Sequence, residues 1–500
     1  MAINLLAMAD KFILSMENFG PIRKSELSLR PLTIFIGKNN TGKSYSTLLI
    51  KAIYDMIVGP AMGHVPDEYL TFRFLTLRQI EELQRIEEQI IEKESMRKGA
   101  EKGNLELMQF LKNNAFPKIQ EEFNNYLKKK LSNGIKKELP RFFGGTTLGQ
   151  IIQWGADYAR IILTTDSLNF DVKISKNGDV EFSSFSFNLQ PVFDRILQRL
   201  QNNRTRGSSR KPFHTVPLYI VIAEELAGEL AEPLSPGGKQ LYYLPASRAG
   251  VMQSHRVLAA TLVAGAPFLT IRGMSLPPLS PANSEFISKL LQIPDLQRRF
   301  RAHKAGKEDE ISKIADKLEK DTIGGRIMVK EVQPQHADFV YVDNGHEISI
   351  LQAASSVGEI SPLVLFLRYY VSKKDLLIIE EPEAHLHPAA IRELAKILAR
   401  LVNAGVHIIL TTHSDYLLSK LSNLIVASKV QRNKRTKLDI DDKEALDPEK
   451  CTVYLFKQPD EGTLTEEVRP SQEGISITEF NTISEEIYDE NVYLSYALDR

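Results

Sequence analysis

The 500 residues carry 63 basic and 63 acidic side chains, so no net charge draws the chain to nucleic acid or to an anionic surface; such a contact must come from a local patch. One cysteine, Cys451, excludes an internal disulfide and a cysteine-based zinc cluster and fits a reducing compartment. The length exceeds one simple core, apolar runs are interrupted (Arg368 in LVLFLRYYV), and MAINLLAMADK, with its short apolar run and early Asp10, is a poor signal peptide. These features predict a cytoplasmic protein without a membrane span, built as one main body with a large second region inserted or appended.

Lys11 to Phe19 and Leu27 to Ile36 read as strands around a Gly20-Pro21 turn. The next eight residues, GKNNTGKS, fit G-x-x-x-x-G-K-[ST], a loop whose backbone N–H groups turn inward around a phosphate and which needs Gly37 and Gly42 where φ is positive or a Cβ would collide. Lys43 then reaches the β- and γ-phosphate oxygens of ATP. The Ser44 hydroxyl supplies a Mg²⁺ ligand, and the dipole of the helix opening there adds positive potential. The predicted ATP-contacting set is Gly37, Lys38, Asn39, Asn40, Thr41, Gly42, Lys43, Ser44 and Tyr45.

A helix over Thr47 to Val58 stops at Gly59-Pro60, and polar, Glu/Lys/Gln-rich helices follow from Tyr69 to Arg141, so residues 61–158 are expected to form a helical insertion. Its basic run, Lys128 to Lys137, reads as a solvated helix end in preference to a phosphate contact, and Trp154 as a core residue in preference to a stacking platform. Residues 159–187 alternate as strands around Asn177-Gly178, a hairpin signal, and begin a segment, 159–250, that returns to the head. Residues 201–212 read as a basic mobile loop and Pro217 to Ala231 as a helix. Leu241 to Gly250 reads as a strand and a loop exposing Arg248, whose role is equally structural or functional. A second helical insertion is expected over 251–323, with a basic run, Arg298 to Lys307, balanced by the acidic stretch after it and no sustained heptads. From Gly324 the pattern is β again, with a turn at Asn344-Gly345, and a helix opens at Ala354 to Glu359. The head itself is expected in two segments, 1–60 and 324–500.

Leu376 to Pro388, LLIIEEPEAHLHP, describes a buried parallel strand presenting carboxylates at its C-terminal end, where ligands sit in open α/β folds. Glu380 is placed to hold Mg²⁺, directly or through water, and Glu381 to orient or deprotonate an attacking water. His385 and His387 shape the turn that follows and are a weak zinc signal. A helix from Pro388 with stripe Ile391, Leu394, Leu398 and Leu401 leads to the strand His407 to Thr412, and His413 directly after it could bond a γ-phosphate and report its hydrolysis.

GKNNTGKS, the helix-opening SVGE, LLIIEEPEAHLHP and TTHSDYLL occur in that order, and the chain resembles the AAA-type ATPases with ABC-like heads, relatives of the ATPase portions of OLD-family nucleases, RecF and SMC proteins. The resemblance implies an α/β P-loop NTPase of ABC-like type: a mixed central sheet with helices on both sides, an antiparallel β subdomain and helical insertions. It also implies ATP and Mg²⁺ as cofactors, Lys43 and Ser44 as phosphate-loop lysine and magnesium ligand, Glu380 as the Walker B acid, Glu381 as the catalytic glutamate and His413 as the switch histidine. Ser356 and Gly358 stand where the signature acts in trans on a second subunit, with Val357 replacing the first glycine of S-G-G-Q. Gln253 is the one candidate for a Q-loop.

The Toprim nuclease of OLD-family proteins has no counterpart: Asp439-Ile440-Asp441-Asp442 lies in a polar run without a preceding apolar strand and reads as a solvated loop, and Val453 to Pro470 as a β-hairpin before a helical tail from Ile477. The expected function is Mg-dependent ATP hydrolysis by a head-to-tail dimer or higher assembly, in DNA repair or antiviral defence and with possible DNA contact. The alternative is a nucleotide-switched scaffold that controls a separate effector, a nuclease or toxin. A transporter ATPase or a small-molecule kinase fits less well, because the insertions, the signature-like helix and the switch histidine would have no use there.

Overall fold

The computed structural model describes residues 11–58, 85, 108–109, 111–202, 240–254, 279–302, 309–333, 336–459, 461–476 and 489–494. Pro217 to Ala231 lies outside these, as do residues 477–488 of the expected helical tail, 61–107 apart from residue 85, 203–212, 255–278 and 303–307; residues 489–494 of the tail are helical. In chain order the strands are β1 (Phe12–Phe19), β2 (Ile22–Ser28), β3 (Leu32–Gly37), β4 (Tyr158–Thr165), β5 (Leu168–Ser175), β6 (Val180–Phe187), β7 (Leu241–Leu244), β8 (Arg326–Gln333), β9 (His336–Asp343), β10 (His346–Ser349), β11 (Leu376–Glu380), β12 (His407–Thr411), β13 (Cys451–Lys457) and β14 (Thr463–Val468). The longer helices are α1 (Lys43–Val58), α2 (Phe116–Lys137), α3 (Gln190–Asn202), α4 (Pro281–Ala302), α5 (Glu310–Ile323), α6 (Ser355–Tyr369), α7 (Pro388–Asn403) and α8 (Asp415–Ala427). No helix of the described residues is long and apolar enough to cross a membrane. The chain divides into two compact units, Met1–Gly20 with Leu48–Gln240 and Pro21–Thr47 with Leu241–Arg500, and the division falls inside α1.

In the first unit β1, β4, β5 and β6 pair antiparallel in that order. Ala159, Ile161 and Leu163 of β4 and Leu168, Phe170, Val172 and Ile174 of β5 are buried, the period-two pattern of a sheet with one covered face. The β5–β6 turn is the expected one at Asn177-Gly178, with Gly178 at φ +93°. Phe116, Ile119, Phe123, Leu127, Leu131 and Ile135 make one buried stripe along α2, and Phe123 meets Phe187 of β6 edge-on at 5.5 Å. The basic residues of α2 lie off that stripe: Lys128, Lys129, Lys136 and Lys137 are exposed. Helix α3, not among the predicted elements, stacks Phe193 on Phe116 at 4.0 Å.

Trp154 is not in the core. It is fully exposed, in a turn with Gly155 at φ +89°, because the buried register of β4 begins only at Ala159 and the turn aims residue 154 outward.

The second unit is built on parallel strands in the order β7-β11-β12-β3-β13. β14 returns antiparallel to β13, as the expected hairpin, and β2 pairs with β14. Every residue of β3 and β11 is buried, as expected of strands covered on both faces. The hairpin strand β13 is central: it lies against β3 with Phe456 opposite Gly37. Phe286, Leu290 and Ile293 of α4 and Ile311 and Leu318 of α5, expected within an insertion, join the core formed with α6, α7 and α8. β8, β9 and β10 form a separate antiparallel sheet whose second turn has Asn344 and Gly345 at φ +47° and +81°, the type I′ pattern of Asn-Gly. The Asp439 to Asp442 stretch is pinned onto α7, Lys396 pairing with Asp439 (2.6 Å) and Arg400 with Asp441 and with Glu444 (2.9 Å), while Ile440 is buried.

Candidate nucleotide site

β3 runs into the loop at Gly37, whose φ is +140° and where a Cβ would stand 2.5 Å from the Phe456 carbonyl oxygen. Gly42 has φ +94°, and a Cβ there would stand 2.7 Å from Ile22. Both glycines are therefore required twice, by conformation and by close packing. Asn40 supplies a third left-handed residue at φ +62°, a conformation asparagine tolerates better than most. The Thr41 hydroxyl donates to the Lys38 carbonyl (2.8 Å) and closes the turn. Among the described residues no hydrogen-bond partner is found for the backbone N–H groups of residues 39–44, and α1 carries no acidic residue in its first turn. Lys38, Asn39, Asn40 and Ser44 are exposed, Thr41, Gly42 and Lys43 buried, and Tyr45 half-buried.

Lys43 folds its ammonium back over the loop, donating to the carbonyls of Gly37 (2.9 Å) and Lys38 (2.7 Å). Burial pulls its pKa down to about 8, partly opposed by the charges of Glu381 and Glu380.

Two strands away, β11 ends on Glu380. Glu380 is 6% exposed and its carboxylate accepts a hydrogen bond from the Thr47 hydroxyl (2.7 Å), with the Tyr243 and Ser44 side chains also acting on it. Burial raises its pKa, and the three hydroxyls work against the rise. Tyr243 and Thr47 were not among the predicted residues; both lie on predicted elements, and only the fold shows which of their faces meets Glu380.

Glu381 leaves the strand in the left-handed region, φ +44°, which costs a non-glycine residue about 1–3 kcal/mol unless its surroundings enforce it. They do so on both sides: its N–H donates to the Thr411 carbonyl (3.0 Å), and its own carbonyl accepts from Ala384 N–H (3.1 Å) and Arg248 Nη2 (3.0 Å). The side chain is free to reach outward, with Oε1 3.7 Å from His413 Nε2.

His413 follows β12, the strand between β3 and β11. Burial first, then the Lys43 charge, lower its pKa, with Glu381 and the Gly37 backbone opposing. Glu383, absent from the predicted set, accepts from the Thr412 hydroxyl and from His413 N–H (3.1 Å) and so joins the acidic turn to the histidine. Burial raises the Glu383 carboxyl, and its Oε2 is buried without a partner. His385 sits in the turn at φ +57°, and His387 caps α7 by accepting from Ala389 N–H (3.2 Å), so both shape the turn as expected.

Two other expectations are corrected. Arg248 is 1% exposed, not surface-borne, and its guanidinium is spent on backbone carbonyls and Glu359. Gly358 is buried and its N–H donates to the Ala354 carbonyl (3.1 Å), because this glycine lets α6 lie against Ala249. What remains open at the α6 N-terminus is the uncapped first turn, Ser355 exposed and Ser356 half-buried; no hydrogen bond links Ser356 to residues 37–45 among the described residues. Gln253 is exposed, within the helical stretch 248–254.

A glycine-rich loop between β3 and α1, acids closing β11 and a histidine closing the strand between them define a P-loop NTPase of the ABC-like type. The chain belongs to the family described as "AAA domain, putative AbiEii toxin, Type IV TA system", which matches residues 150–419, more than half the chain, including the acidic turn and His413 but not the phosphate loop. It is thus an AAA/ABC-like, nucleotide-binding ATPase. No curated protein matches. Among solved structures the chain is similar to the Smc head bound to the C-winged helix domain of ScpA (10% identity, TM-score 0.39, covering 91% of this chain and 97% of that one). It is also similar to an Smc head with an extended coiled coil bound to the C-terminal domain of ScpA from Pyrococcus furiosus (11%, 0.39, 96% and 100%). A third is the SMC head domain from Thermotoga maritima (9%, 0.35, 92% and 99%).

Proposed function

We propose that the protein hydrolyses ATP at the loop 37–45 and that the site is completed by a second copy of the chain. The observation that carries this reading is the loop itself: a run of N–H groups without internal partners, a buried lysine and two obligatory glycines, at the same sheet edge as Glu380, Glu381 and His413. That donor set fits a polyphosphate. The hydroxyl and carboxyl oxygens of Ser44 and Glu380 are hard donors that fit a hard divalent cation. When bound there, Mg²⁺ would neutralise charge on the β- and γ-phosphates. Lys43 exchanges its carbonyl partners for phosphate oxygens, Glu381 orients the attacking water and takes its proton, and His413 donates to the γ-phosphate, with Glu383 holding its backbone. The uncapped first turn of α6 suits an anion, and among the described residues no hydrogen bond links Ser356 to residues 37–45, so Ser356 is assigned to the nucleotide of the partner in a head-to-tail pair.

The family's description speaks of a toxin and a type IV toxin–antitoxin system, which supports a two-component setting in the cytoplasm in which nucleotide state controls a separate effector. Antiviral defence or DNA repair is the setting we assign. Glu381→Gln should bind ATP, turn over about 10²–10⁴-fold more slowly and shift to a larger species in light scattering with ATP. Ser356→Arg should bind ATP and fail to hydrolyse it. Normal turnover by Ser356→Arg refutes the shared site, and turnover with and without DNA separates a DNA-driven motor from a switch.

A further inference from the structure

The Arg248 guanidinium ties together three segments remote in sequence. Its Nη1 donates to the carbonyls of Pro245 (2.9 Å) and Glu380 (2.6 Å), its Nη2 to the Glu381 carbonyl (3.0 Å) and its Nε to the Glu359 carbonyl (3.1 Å). Glu359 Oε2 lies 3.1 Å from Nε, and Glu359 Oε1 accepts from Ala249 N–H (3.1 Å). Ala249 is also where α6 seats, since a Cβ on Gly358 would come within 3.1 Å of the Ala249 methyl. Residues 248 and 249 therefore grip the first turns of α6 on one side and the end of β11 on the other.

We propose that Arg248 is a positioning residue for hydrolysis, holding Glu381 in its left-handed conformation and linking it through Glu359 to the N-terminus of α6. The inference rests on the ATPase reading above. Of the two sides on which Glu381 is held, the carbonyl side is shared by Ala384 N–H and Arg248, and Arg248 alone joins that carbonyl to those of Pro245, Glu359 and Glu380; its planar fork spreads N–H donors over three nitrogens, where a lysine offers one. A buried, paired cation is weak support for stability in itself, whereas its acceptors here include the two peptide groups that aim the acidic pair. The same link gives an anion at the α6 N-terminus a route to the hydrolytic carboxylate, because the first turns of α6 bear on Ala249 through Gly358 and on Arg248 through Glu359.

The test is steady-state and equilibrium nucleotide work on full-length Arg248→Lys. A fluorescent ATP analogue should bind within about twofold of wild type while kcat falls about 10–100-fold, the scale expected when a reacting group is displaced by about an ångström. Wild-type turnover, and its loss in Lys43→Ala, establish or sink the ATPase reading separately. Against that background, an unchanged kcat in Arg248→Lys overturns the positioning role, and so does a parallel loss of affinity, turnover and melting temperature, which a purely fold-supporting residue would give. If Arg248→Lys does not fold, Gly358→Ala decides, because the added methyl presses on Ala249 without touching β11. A lower kcat with ATP binding and ATP-driven association retained supports the link, and wild-type kcat overturns it.

Discussion

The phosphate loop and the acidic turn sit at one sheet edge and contain the same backbone feature, residues in the left-handed region, supported in opposite ways. In the loop the conformation falls largely to Gly37 and Gly42, and the N–H groups of residues 39–44 have no hydrogen-bond partner among the described residues. In the turn it falls to Glu381 and His385, and Glu381 is held from both sides by Thr411, Ala384 and Arg248. On the proposed reading the loop is the part that receives the nucleotide, and the turn is the part whose geometry the protein itself fixes. Substitutions in the loop should therefore act on binding and those around the turn on turnover.

The widest separation is expected from Lys43→Ala. Removing the buried ammonium leaves phosphate oxygens facing an unpaired pocket, a loss of about 2–5 kcal/mol, and equilibrium binding should weaken about 10²–10³-fold. Retained affinity would erase the contrast. Gly37→Ala comes next. A methyl 2.5 Å from the Phe456 carbonyl, at φ +140°, combines overpacking with backbone strain. A stability loss of about 2–4 kcal/mol is expected, read as a lower urea midpoint, and a wild-type midpoint would show that β13 yields. The smallest effect is set by pH. Burial holds Lys43 at about 8 in the free protein, so below that pH the cation is already present and ATP affinity is flat. Above it, binding must first take up a proton, and affinity should fall by about tenfold per pH unit. Calorimetry at about pH 9 in buffers of different ionisation enthalpy should detect that proton; equal heats would place the titration elsewhere.

Local features were open to sequence reasoning: the loop, the acids closing β11, the Asn-Gly hairpins and the apolar stripe of α7 each depend on spacing within a dozen residues. Partners far along the chain were not. Arg248 meets Glu380 across 132 positions and Tyr454 of β13 bonds Ser28 across 426, and no periodicity announces either contact. Trp154 misled because its size suggests burial and the turn overrides that preference. Gly358 matched a signature position, but its spacing could not reveal that the missing side chain makes room for Ala249. Glu383 carried a usable signal, a third acid in EEPE, although only the fold joins it to His413.

The placement of β13 bears on how the protein is made. Both neighbours of β3, β12 and β13, are synthesised long after it, with Phe456 opposite Gly37. On a ribosome moving at roughly 5–20 residues per second, the apolar run Leu32 to Ile36 has to wait about 20–80 s for its flanking strands. During that interval ATP has no finished loop to bind, and a nascent chain interrupted before β13 exposes a strand bare on one edge. Premature termination near the C-terminal end should thus yield an insoluble product that chaperones retain, not a truncated enzyme with residual affinity.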